Sequence, residues 1–136
     1  MIWAMLTLLF AVLLGGGGGS AEVKEAFKTA RKQVKEVIAE PERQREVRSD
    51  LKQMNKLLDK GRQYQQKSIK KAYKVAAAAG DDEGISLDEY SQLYDEFLER
   101  IAVFRKDYVE TLFHMKDLMT EDEWEAVFES VKTIQL

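Results

Sequence analysis

From Tyr90 to Met119 the chain places apolar or aromatic residues in step with one secondary structure. Tyr90, Tyr94, Phe97, Ile101, Phe104, Tyr108, Leu112, Met115 and Met119 follow one another at spacings of 4, 3, 4, 3, 4, 4, 3 and 4. A strand would alternate every second residue. Only a helix turning once per ~3.6 residues gathers these positions on one face. A stripe roughly eight turns long must be covered, so the chain is expected to fold as helix packed on helix, with the whole stripe in the core.

The rest of the chain supplies partners. Over residues 21–39, Val23, Phe27, Ala30, Val34 and Val37 recur at spacings of 4, 3, 4 and 3. Pro41, the only proline, cannot continue that helix but suits the first position of the next. With no glycine beside it, a kink or short corner is expected there. A second helix is predicted over residues 41–79. Its inner face holds Val47, Leu51, Met54 and Leu58, then Ile69, Ala72 and Ala76. Between these lies a polar middle, "KGRQYQQKS", where packing should be weakest. "AGDDEG", residues 79–84, is a loop, and further helices are predicted over residues 87–118 and 121–133. The expected fold is all-α. It is a kinked antiparallel helical hairpin or small helical bundle in residues 22–136, preceded by an N-terminal hydrophobic helix in residues 1–21.

Two hexapeptides share a pattern, "ISLDEY" from Ile85 and "MTEDEW" from Met119. Each reads as a helix start. Ser86 and Thr120 are N-caps, Glu89 and Glu123 reach back to them, and Ile85 with Tyr90 and Met119 with Trp124 form hydrophobic staples. An EF-hand is excluded by register. With Glu89 as its twelfth residue, Ala78 and Gly80 would stand where acidic ligands are needed, and Glu83 where glycine is needed.

The N-terminus carries an address. "MIWAMLTLLFAVLL" is uncharged, and "GGGGGSA" follows. The apolar run alone gives about 21 Å of helix, which suits a signal peptide, with Gly19 and Ala21 as small residues before a cleavage point. Residues 1–21 together would reach ~31 Å, enough for a transmembrane anchor. No basic residue precedes the run. Lys24, Lys28, Arg31, Lys32 and Lys35 follow it, which would place an uncleaved anchor's domain in the cytoplasm. The expected location is periplasmic or otherwise extracytoplasmic, or membrane-anchored, with a cytoplasm-facing anchor as the alternative.

Charge is divided along the chain. Residues 22–80 carry a net +8 and residues 81–136 a net −11. Arg48, Lys52, Lys56 and Lys60, extended by Lys67, Lys70, Lys71 and Lys74, form a basic face on the second helix. Like charges four apart repel by a few tenths of a kcal/mol. The simplest compensation is the acidic third helix, with Asp88, Asp95, Glu96, Glu99, Asp107 and Glu110, across an antiparallel hairpin. Otherwise the face binds outward, to a protein partner or anionic lipid. Nucleic acid fits poorly, because Tyr64 and Tyr73 alone are interleaved and no reader motif is present.

Catalytic chemistry has little to stand on. There is no cysteine, so thiolate metal sites and disulfides are excluded. His114, the one histidine, has Glu110 and Asp117 on its helix face, a weak candidate metal set. Its spacing is neither Glu-x-x-His nor His-Glu-x-x-His, and a solvated face is the simpler expectation. The glycine run lacks the lysine of a P-loop. The sequence is read as a non-enzyme without cofactors.

With the leader and the segments Ile85–Glu89 and Met119–Glu123, the chain resembles the periplasmic Leu-Thr-x-x-Gln proteins. That group includes Spy/CpxP-like stress chaperones and adaptors, and its layout is similar to that of CnrX-type sensors. It departs from their motif: Ile or Met replaces Leu, and Glu replaces Gln. The resemblance implies a helical hairpin, often dimeric, that binds proteins. The function expected is an extracytoplasmic or membrane-tethered protein-binding, chaperone-like module acting on a protein partner or as a homo-oligomer. The alternatives are a membrane-anchored structural subunit of a larger complex and a periplasmic metal sensor around His114.

Overall fold

The computed structural model describes residues 20–78 and 87–129. They form four helices: α1, Ser20–Val37; α2, Pro41–Ala78; α3, Leu87–Asp117; and α4, Glu121–Phe128. The protein is a small all-α bundle, and no strand occurs among the described residues. The apolar leader, the cap at Ser86 and residues 130–136 lie outside the described residues. The fourth helix is described as far as Phe128, with Glu129 in a turn, and its expected continuation to residue 133 lies outside the described residues.

One core joins all four helices. α1 contributes Val23, Phe27, Ala30 and Val34, and α2 contributes Val47, Leu51, Met54 and Leu58. Ile101, Phe104, Tyr108, Leu112 and Met115 come from α3, and Trp124, Val127 and Phe128 from α4. α2 packs on both α1 and α3, and α4 packs on α1. The connection at Pro41 is a short corner over residues 38–40. The Gln44 side chain secures it by donating to the carbonyl oxygens of Lys35, at 3.3 Å, and Ile38. Those carbonyls end α1 without an intrahelical partner, so the amide supplies what the helix cannot.

The helices differ too much in length to cover each other. At ~1.5 Å per residue α2 is about 57 Å long, α1 about 27 Å and α4 about 12 Å. α3 runs antiparallel to α2, since Asp50 meets His114 while Tyr64 stacks on Phe97. Burial on α2 ends at Gly61, and burial on α3 begins at Ile101. Beyond those points the described parts of α2 (residues 62–77) and α3 (residues 88–100) form a two-helix arm whose side chains are half-buried or exposed.

The arm corrects two expectations. Ile69, Ala72, Ala76, Tyr90 and Tyr94, expected in the core, are exposed. Their stripes keep helical phase, but among the described residues no third helix reaches them. The polar middle of α2 is also not the weakest region. Gly61 is buried there, and Tyr64 packs between Phe97 and Phe104, at ring distances of 6.1 and 6.2 Å. Packing falls away beyond it.

Candidate functional site

Thr120 makes the capping box its sequence implies. Its Oγ1 accepts from the Glu123 amide at 3.2 Å, and Glu123 Oε1 accepts from the Thr120 amide at 2.9 Å. Arg43, at the start of α2, adds a clamp. Its guanidinium donates to both carboxylate oxygens of Glu123, to Glu40, and to the Leu118 carbonyl at 3.1 Å. This bidentate pairing fixes α4 against the α1–α2 corner. It accounts for the Glu123 half of the repeated hexapeptide as architecture.

The three candidate metal residues do not converge. His114 Nδ1 lies 2.6 Å from Asp50 Oδ2 on α2. Glu110 lies 3.9 Å from Lys106, and Asp117 is exposed. Among the described residues no group of three metal-ligating side chains is present. His114 is exposed, as a solvated face requires, yet it ties α3 to α2, which its spacing did not reveal. The Asp50 carboxylate raises its pKa above the ordinary imidazole value, helped by Glu46 and Asp117. The Asp50 carboxyl is raised too, because partial burial outweighs its bond to His114.

The pair therefore has a signed pH dependence. With its folded pKa raised, His114 contributes stability that is fully present below about pH 6.5 and is lost as pH rises through the folded value. Asp50 acts in the same sense in a lower range, above its ordinary 3.8. Because the imidazole is largely exposed, the step should be below about 1 kcal/mol. Urea midpoints measured from about pH 6.5 upward should fall as pH rises, and His114→Gln should flatten that fall. An identical slope in the variant would contradict the assignment.

The basic face stands differently from the expectation that α3 neutralises it. Lys52, Lys56, Lys60, Lys67, Lys70, Lys71 and Lys74 are all exposed. Among the described residues none of them joins an ion pair; the pairs between helices are Arg43–Glu123 and Asp50–His114. Helical phase gives the reason. At ~100° per residue, Lys56 lies about 180° around α2 from Val47, and Lys52 and Lys60 lie about 40° to either side of Lys56. The lysines are opposite the core, whereas α3 sits on the core side. Arg48 departs from the group, being half-buried with its Nε buried and without a hydrogen-bond partner.

The arm carries a concave surface. Tyr64, Ile69, Ala72, Tyr90, Tyr94 and Phe97 line a groove of about 250 Å³, with Lys71 on one wall and Glu96 on the other. Five of the seven exposed large apolar side chains described lie on the arm: Ile69, Tyr73, Tyr90, Tyr94 and Leu98. Single exposed apolar residues are ordinary; these lie together on one arm with charged residues beside them. Tyrosine suits such a surface, offering broad contact area and a polar tip at low entropic cost. The sequence shows these residues without marking them as a site. The signal was the mismatch between a long second helix and the short helices available to cover it.

No family model, curated protein or solved structure matches the chain.

Proposed function

We propose that the protein is a non-enzymatic helical binding module whose two-helix arm holds apolar segments of other polypeptides, in the manner of a chaperone. The observation that carries this is the concentration of exposed aromatic and aliphatic side chains on the arm, beside a bundle with a buried apolar core. The bundle anchors the arm's root through Tyr64 and Phe97, which partly pack against the core. Outward from there the groove is open. Basic residues on α2 and acidic residues on α3 flank it, so an apolar segment with polar neighbours of either sign can lie between them. The apolar leader and the partial Leu-Thr-x-x-Gln pattern support the same reading. They favour a protein exported or tethered to a membrane. Among the described residues no helix is long and apolar enough to cross one.

The test uses a client unfolded by reduction. The chain has no cysteine, so a thiol reductant acts on the client alone. Reduced insulin B chain should aggregate more slowly, in a concentration-dependent way, when the protein is present. A variant carrying Ile69→Ser and Tyr94→Ser should lose most of that protection while keeping its helical circular dichroism. Equal protection by the folded variant would defeat the proposal.

A further inference from the structure

A second surface on α2 lies on the far side of the helix from most of the groove and shares only Lys71 with it. From Lys52 to Lys74 the helix holds seven lysines and Arg62 against one carboxylate, Asp59, and Arg62 pairs with Asp59 at 3.3 Å. The lysines span about 33 Å of a helix unbroken from Pro41 to Ala78. All seven are exposed, and none is in an ion pair among the described residues. Repulsion along such a row weakens the helix, and no ion pair among the described residues offsets it. By helical phase, Ile69, Ala72 and Ala76 fall on the side of α2 that carries Val47 and Leu51, while Lys56 and Lys74 fall roughly opposite.

We propose that this lysine face lies on an anionic lipid bilayer, with the arm's groove turned away from the surface. Three observations select a membrane over other polyanions. The cations line one face of a single unbroken helix, an extended row suited to a flat charged surface. They are lysines, which act as point charges and lack the planar fork that arginine offers to a single phosphate. The same chain begins with 14 uncharged residues, "MIWAMLTLLFAVLL", which suit a membrane attachment. Lipid contact relieves the repulsion among the lysines and leaves the groove free. Tethering and client binding can then occur together.

The test compares the full chain on vesicles of neutral phosphatidylcholine with vesicles in which about 30% of the lipid is phosphatidylglycerol. The leader contributes to both, so the ratio of the two partition coefficients isolates the charge contribution. We expect a preference for the anionic vesicles of at least roughly tenfold, lost at about 0.5 M sodium chloride. Replacing Lys52, Lys56 and Lys60 with Gln should reduce that preference by on the order of tenfold to 100-fold, while replacing all three with Arg should preserve it. Circular dichroism checks that each variant remains helical. An unchanged ratio in the folded Gln variant would overturn the proposal. Binding to duplex DNA that is tighter than vesicle binding at the same salt, and lost in the Gln variant, would also overturn it. Insulin protection by the folded Gln variant is expected to match the wild type, so failure here leaves the groove's role standing on its own test.

Discussion

Phe27→Ala should destabilise the protein by about 3–5 kcal/mol, the range for emptying a large aromatic site in a packed core. Phe27 is 1% exposed and belongs to the cluster that unites all four helices. A domain of this size has a total stability of ~5–15 kcal/mol, so the variant should unfold at a much lower denaturant concentration and be partly unfolded near body temperature. The comparison that gives the result meaning is Tyr94→Ser. Tyr94 is 55% exposed on the arm, and surface changes of that kind usually stay within about 0.5 kcal/mol. Urea denaturation of both variants should separate them clearly. If Tyr94→Ser proved as damaging as Phe27→Ala, the arm would be part of the core, and the division into bundle and arm would be wrong.

Arg43→Ala should cost about 1–3 kcal/mol, because it removes a charged donor and leaves the partly buried Glu123 carboxylate with fewer partners. The same contacts set the acid limit of the fold. Hydrogen bonding to Arg43 is the main cause that holds both Glu40 and Glu123 below the ordinary carboxylate value of 4.5. A depressed folded pKa contributes stability that is present above the unfolded value and lost as pH falls through the folded one. The wild type should therefore lose stability on acidification from about pH 5 downward. Arg43→Ala should be weaker at neutral pH and lose less on acidification. Arg43→Lys should fall between the two, since lysine keeps the charge but not the bidentate geometry. Parallel acid titrations of wild type and variant would contradict the clamp.

Helical phase made much of the bundle legible. The stripes at Val23–Phe27–Ala30–Val34 and Val47–Leu51–Met54–Leu58 sit in the core where periodicity placed them. Thr120 and Glu123 form the reciprocal cap that their spacing implies. Val37 is only half-buried, and Ile38 takes the buried place at the corner. Periodicity reports which residues share a face. It does not report whether another helix covers that face. That gap hid the arm: Tyr90 and Tyr94 continue the α3 stripe without a break, yet α1 and α4 are too short to reach them. The lysine face shows a second limit. Charge totals suggested that basic α2 would be neutralised by acidic α3, but the position of each charge around the helix decides, and the lysines lie opposite the core. Cross-helix pairs such as Arg43 with Glu123, and Asp50 with His114, join residues 80 and 64 positions apart. No local pattern encodes such pairings.

The most direct measurement of the central claim is where a client touches the protein. A photo-crosslinking amino acid placed at Tyr94, on the arm, should couple efficiently to reduced insulin B chain. The same group placed at Phe113 should couple weakly. The two positions are similarly exposed, at 55% and 49%, so simple accessibility predicts no difference between them. Phe113 lies on the bundle half of α3, outside the groove. Strong coupling from position 94 and little from position 113 is the predicted result. Equal coupling from both, or stronger coupling from position 113, would contradict the account of the arm as the binding surface.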